Sequence, residues 1–392
     1  RQDSHQSSWR LETNPMKIIG AGHIKDLCAG AAFLATGGGG DPYVSQLLAE
    51  QLLEKYGAAT LISPEDLADD AFVVSIGMVG APTVTLEQLP TEEEAIGALN
   101  KYEEITGKKI DAVIPFEVGG GNSTIPLFVA AIKGIPCVDG DGMGRALPEA
   151  QMMTFPIYGA KPTPAVIMDA FGNSELLECE DALTFEKEIR AKAVAMGGMI
   201  SSAEHGMSGE LVKRSAIPHT ISFAVELGRL LRGHGGVIDA IQDDLFKLFA
   251  ESDYGVIKHL FTGKVVDSER KIIGGYDVGT ATLQGFGSTG SGGSNGARDN
   301  AETDMELLIK NEYLVAKIGD RVVASVPDLI CVVEQETSRS LNAERMRYGQ
   351  RVAVYGIGCT HHYRTPEALA VTEPRAFGFD LDYVPLEKIS IY

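Results

Sequence analysis

Three stretches of the chain combine glycine with carboxylate in a way that could do chemistry. "ATGGGGDPY" (residues 35–43) sets Gly37, Gly38, Gly39 and Gly40 in front of Asp41 and Pro42. "FEVGGGNST" (116–124) sets Glu117 ahead of Gly119, Gly120, Gly121 and Asn122. "CVDGDGMGRALPE" (137–149) carries Asp139 and Asp141 at alternate positions, followed by Arg145. Glycine lets a ligand approach the backbone closely, and a helix N-terminus offers unpaired N–H groups and partial positive charge. Gly38, Gly39, Gly40, Gly120, Gly121, Asn122 and Arg145 are therefore expected to bind substrate, with Glu117 or Asp41 as general base. Each stretch also has a plainer reading: a tight turn for the first, helix capping for Asn122 and Ser123, and Asx turns for Asp139 and Asp141. Three such loops in one unit predict one pocket.

A fourth stretch, "GIGCTHHYRTP" (356–366), offers Cys359, His361 and His362 within four residues. A thiolate with imidazoles suits zinc, although the spacing matches no structural zinc pattern and further ligands must come from elsewhere. A shell left incomplete by the protein is what a catalytic zinc requires. The plainer reading is a buried free cysteine beside solvent-facing histidines. His205 and His219 stand alone in sequence, and His219, next to a helix start, is expected to be structural. No Gly-Lys-Ser/Thr follows the glycines and HExxH is absent. GxGxxG (285–290) and GxSxG (292–296) occur only in the glycine- and serine-rich run, without the strand-to-helix setting that gives either motif its meaning, so no nucleotide cofactor is expected.

The elements that must position these residues read as α/β. "DAFVVSIGMVG" (70–80), "DAVIPFE" (111–117) and "IPCVDGD" (135–141) are buried strands. "YVSQLLAEQLLEKYG" (43–57), "TEEEAIGALNKYEEITG" (91–107) and "NSTIPLFVAAIKG" (122–134) are helices, the first with Asp41 as N-cap and Pro42 at its first turn. Strands alternating with helices imply a mostly parallel sheet covered on both faces, here over 16–165. Helical patterns over 166–250 complete or link this unit, and beyond 251 short β-rich runs broken by turns predict a second, mainly β domain. "GSTGSGGSNGARDNAE" (287–302) reads as a surface loop.

At 392 residues, with 44% hydrophobic and 22% charged residues, the chain suits a soluble protein of two domains. A net charge of −20 argues against nucleic acid or an anionic membrane as partner, leaving a small molecule and a possible homo-oligomer. Five scattered cysteines form no disulfide framework and point to the reducing cytoplasm. No apolar run reaches the ~18 residues of a membrane span. Residues 1–15 are polar and hold the one tryptophan, Trp9, and are expected to be an added tail before a native start at Met16.

Taken in order, "ATGGGGDPY", "FEVGGGNSTIPL", "VDGDGMGRALPEAQM", "KNEYLVAK", "VPDLICVVEQET", "MRYGQRVAV" and "EPRAFGFDLDYVPL" resemble the family named after S-methyl-thiohydantoin desulfurase, over essentially 16–392. The resemblance implies a two-domain, zinc-dependent enzyme that removes sulfur from a five-membered thiohydantoin ring of the kind formed in ergothioneine breakdown. "GCTHHYRTP" looks like the family's cysteine-containing segment, whereas His219 stands where that family would carry glycine. The expected activity is hydrolytic desulfuration releasing sulfide or methanethiol and leaving a hydantoin. Zinc is expected on Cys359, His361 and Asp139 or Asp141, lowering the pKa of its water to about 7. Two alternatives stay open: a hydrolase of an unsulfurated hydantoin or oxoproline-type ring, and a non-catalytic subunit beside such a hydrolase.

Overall fold

A computed structural model describes residues 17–40, 42–80, 91–233, 236–273, 276–286 and 304–390. Asp41 and the 287–302 stretch lie outside the described residues. In the first half the strands are β1 (Ile18–Ile19), β2 (Ala59–Ile62), β3 (Phe72–Gly80), β4 (Ala112–Pro115), β5 (Cys137–Val138), β6 (Gly140–Asp141), β7 (Ala165–Met168), β8 (Ser174–Leu177), β9 (Met199–Ser208) and β10 (Ile217–Pro218). The helices are α1 (Ala21–Leu34), α2 (Tyr43–Tyr56), α3 (Glu92–Thr106), α4 (Ile125–Lys133), α5 (Thr154–Ile157), α6 (Ala182–Ala195), α7 (Gly209–Ser215), α8 (Thr220–Arg232), α9 (Gln242–Ala250) and α10 (Pro366–Thr372).

The expected α/β unit is present. Its eight-stranded sheet runs β1-β2-β5-β4-β3-β9-β7-β8. The parallel part is β2-β5-β4-β3, and antiparallel strands extend it at both ends. The near-continuous apolar runs of β3 and β4 suit strands covered on both faces. Alternate residues of β7 show the two layers: Ala165 and Ile167 pack with Phe185 and Ile189 of α6, whereas Met168 abuts Gly97 of α3. Local signals set the helix ends. Thr91 and Glu94 form a capping box at the start of α3, and Gly107 and Gly134 close α3 and α4 in the left-handed region. The middle region read as helical also contributes β7, β8 and β9 to the sheet; β9 packs on both faces and carries no helical period.

The second half is the expected β domain: β11 (Ile257–Ile273), β12 (Tyr276–Gly285), β13 (Asp304–Lys310), β14 (Glu312–Ile318), β15 (Arg321–Ser325), β16 (Leu329–Glu334) and β17 (Arg351–Ile357). They form one antiparallel sheet, β15-β14-β13-β12-β11-β17-β16, with its own core around Val265, Leu283, Leu307 and Val354. The two halves also share a core. Phe33 and Leu34 of α1 sit in one apolar cluster with Leu314, Val315 and Tyr355, so the start of β14 is pressed against the end of α1, where the first glycine run begins.

Candidate functional site

The three glycine loops meet. The Gly121 N–H donates to the Gly39 carbonyl at 3.2 Å, and the Gly120 N–H to the Ala31 carbonyl at 3.2 Å. Gly120 has φ +80°, and a Cβ there would overlap the Gly39 carbonyl, so this crossing of two backbones needs glycine. The third loop joins at Gly119, where a Cβ would lie 2.6 Å from the Ala146 nitrogen. The β domain closes the assembly: a Cβ at Gly38 would overlap the carboxylate of Glu312, and the Tyr313 N–H donates to the Thr36 carbonyl at 2.8 Å.

Beside this junction lies a cleft of about 580 Å³. Gly38, Gly39, Gly40, Gly121, Asn122 and Glu117 border it, with apolar walls from Met78, Phe116, Ile125, Met143 and Met153. Such a volume suits a small organic ligand. Asn122 is fixed by the backbone of Met78, accepting from its N–H at 2.7 Å and donating to its carbonyl at 3.1 Å. That orientation turns the remaining amide hydrogen to Glu117 Oε1, 3.1 Å away. Asn122 therefore positions the carboxyl. Glu117 keeps an edge open to the cleft, yet burial among protein atoms pushes its pKa up to about 8, against the Asn122 hydrogen bond and with the charge of Glu312 adding to the rise.

The third loop positions the others. Asp139 and Asp141 do point the same way, and both meet the first turn of α8. Asp139 accepts from the Ser222 N–H (3.0 Å) and hydroxyl (2.7 Å). Asp141 takes the N–H groups of Val118 (2.7 Å), Met143 (3.1 Å) and Gly144 (2.8 Å) on one oxygen and the Thr220 hydroxyl (2.8 Å) on the other. Burial still raises it, to about 6. Arg145 is fully buried and away from the cleft, donating to Ala146, Pro327 and Asp328 carbonyls and to the Thr36 hydroxyl. Its guanidinium joins the domains: these acceptors take four of its five N–H donors, and it does not border the cleft. Gly120 likewise serves the loop crossing, and His219 caps α8 with its N–H on the Asp139 carbonyl at 2.7 Å.

The expected zinc ligands do not fit a metal. Among the described residues no three His, Cys, Asp or Glu side chains converge as a ligand set. The Cys359 sulfur sits 3.6 Å from the Tyr383 hydroxyl, and burial, with Asp328 nearby, pushes the thiol up to about 12. His361 is exposed and stacked on His362 with ring centroids 4.0 Å apart, while His362 is held down to about 4 by burial. Both Asp141 oxygens are already occupied. None of Cys359, His361, Asp139 and Asp141 borders the cleft.

Several cleft groups went unnoticed in the sequence. Glu312, 2% exposed, opens β14, and burial pushes it up to about 8 against the attraction of Arg145. Glu149 is bound by Lys310 at 3.1 Å, and Glu186 by Arg190. Glu204 adjoins His205, whose ring is fully buried between Phe155 and Phe185 at φ +47°. Its Nδ1 lies 3.1 Å from Glu204 Oε1 at an angle that makes no hydrogen bond. The one visible signal for Glu312 was an acid heading an apolar strand in "KNEYLVAK".

Among the described residues no helix is long and apolar enough to cross a membrane. No curated protein matches the chain. A protein from Chromobacterium violaceum, solved by X-ray crystallography, superposes with a TM-score of 0.77 at 22% identity, over 95% of this chain and 100% of that one, and so shares the fold. Residues 22–179 match the S-Me-THD-like N-terminal domain and residues 180–386 the S-Me-THD-like C-terminal domain. The chain belongs to the S-Me-THD-like family, and residues from both matched stretches line its cleft.

Proposed function

We propose that the chain is a hydrolytic desulfurase. In this reading it replaces the sulfur of a five-membered thiohydantoin, or of its S-methyl form, by oxygen from water, releasing sulfide or methanethiol and leaving a hydantoin. Family membership supports the enzyme class, and the carboxyl of Glu117 carries the chemistry. Its pKa near 8 lets it accept and return a proton close to neutral pH, which is what general base work on water asks of it. Water attacks the sulfur-bearing carbon, an electrophile flanked by two nitrogens, and Glu117 takes its proton.

The apolar walls hold the flat ring and keep bulk water from it, while the glycines at Gly39, Gly40 and Gly121 let the ring edge reach the main chain. No step is routed through zinc, since the expected ligands do not fit it. The test is a substrate panel of thiohydantoin, S-methyl-thiohydantoin and hydantoin, scored for sulfide or methanethiol against ring opening. Sulfur release from the first two supports the reading; ring opening of hydantoin alone replaces it with an unsulfurated cyclic amidase.

A further inference from the structure

We propose that Glu117 and Glu312, one from each domain, work as a single proton-sharing pair in which Glu117 takes a proton from the attacking water and Glu312 delivers one to the departing sulfur. The proposal rests on the desulfurase reading and assigns its second proton-transfer group to the β domain.

Glu312 borders the cleft although the protein covers it almost completely. One of its oxygens lies against Gly38, in space that any side chain there would fill. The other, Oε2, is buried without a hydrogen-bond partner among the described residues. Leaving a buried carboxylate oxygen without a donor is costly, so this is where a proton is best placed. Glu117 differs, because Asn122 already donates to it and so favours its ionised form. The charge of Glu312 raises Glu117 beyond what burial does. Arg145 from the third loop, Lys310 on the preceding strand and Arg190 of α6 pull Glu312 the other way without overcoming its burial, and Asp141 adds to the rise on Glu117. Two interacting carboxyls in so shielded a place hold one proton between them near neutrality.

The reaction balances. With an S-methyl ring, the oxygen of water bonds to the ring carbon and one water proton passes to Glu117. The carbon–sulfur bond then breaks, and the leaving sulfur takes the proton of Glu312 as methanethiol. The second water proton ends on the ring nitrogen as the carbonyl forms. One water is consumed and no oxidant is needed; Glu117 is left protonated and Glu312 ionised, and one proton passing between them restores the pair. With the thione, the sulfur takes its proton from Glu312 and the second from the hydroxyl, leaving as hydrogen sulfide.

The experiment combines kinetics with infrared titration of the buried carboxyls in wild type, Glu117→Gln and Glu312→Gln. Glu312→Gln keeps the side chain's shape and is expected to lower kcat/KM by about 10²–10⁴-fold and to reduce a bell-shaped pH profile to a single ionisation. In Glu117→Gln the ionisation of Glu312 is expected to move to lower pH, because its neighbour's charge is gone, which a merely structural Glu312 would not do. Wild-type kcat/KM and pH profile in Glu312→Gln, or a Glu312 that titrates independently of Glu117, would overturn the pair. A wild type that releases no sulfur from either ring removes the reaction, and with it the delivery of a proton to sulfur. The titration then still decides whether the pair exists.

Discussion

Two corners of the molecule hold buried groups able to do chemistry, and they differ in what those groups already touch. Around Cys359 the carboxylate is fully used: Asp328 accepts from the Cys359 N–H at 2.8 Å, the Tyr383 hydroxyl at 2.9 Å and the Leu386 N–H at 2.7 Å, and Tyr383 covers the sulfur. Thr360 Oγ1 and His362 Nδ1 beside it are without a partner among the described residues, but they do not border the cleft. Asp141 is saturated in the same way by four donors. In the cleft, Glu117 has one side-chain donor and Glu312 has an oxygen with none, so burial is not offset. Saturated groups hold the chain together; unsaturated ones facing a cavity are left for a ligand.

The comparison can be broken most severely at Glu117. Glu117→Gln should lower kcat/KM by about 10²–10⁴-fold while the protein stays folded, as initial rates and circular dichroism would show. Asp141→Ala should act in the opposite currency. It strands four buried donors at about 1–3 kcal/mol each, and urea unfolding should show a loss of at least ~3 kcal/mol. Gly120→Ala places a side chain at φ +80° into the Gly39 carbonyl and should cost about 1–3 kcal/mol of stability along with activity, because the cleft wall shifts. Cys359→Ala should do least: about 1 kcal/mol of lost packing, with turnover and any bound metal unchanged.

The loops and their convergence were legible because glycine runs beside strand ends are a backbone signal, independent of distant partners. Helices α2, α3 and α4 followed from apolar spacing for the same reason, and α3 also from its cap. The expected caps fail elsewhere, since Pro42 sits at the N-cap of α2 rather than inside it and Thr124, not Asn122 or Ser123, at the N-cap of α4. The roles of Arg145, Asp139 and Asp141 were not, since Pro327, Thr36, Thr220 and Ser222, which occupy them, are remote in sequence. Glu312 was hidden for the converse reason. Its importance lies in the missing partner and in Gly38 opposite it, and neither can be read from "KNEYLVAK". The cysteine and histidines of 359–362 suggested zinc by type alone, and type says nothing about convergence.

The pH dependence of stability sharpens the contrast further. A carboxyl whose folded pKa is raised from 4.5 to about 8 binds more protons folded than unfolded between those values. Stability should therefore be greatest on the acid side of that window and decline as pH rises through it. Glu117→Gln should flatten that decline in thermal melts across the window, whereas Cys359→Ala should leave it as in wild type.

The most direct measurement is methanethiol release from S-methyl-thiohydantoin by wild type, Glu117→Gln and Cys359→Ala side by side. The cleft account expects release by wild type and Cys359→Ala and almost none by Glu117→Gln. Release lost in Cys359→Ala and kept in Glu117→Gln would contradict it, and would move the chemistry to the cysteine corner.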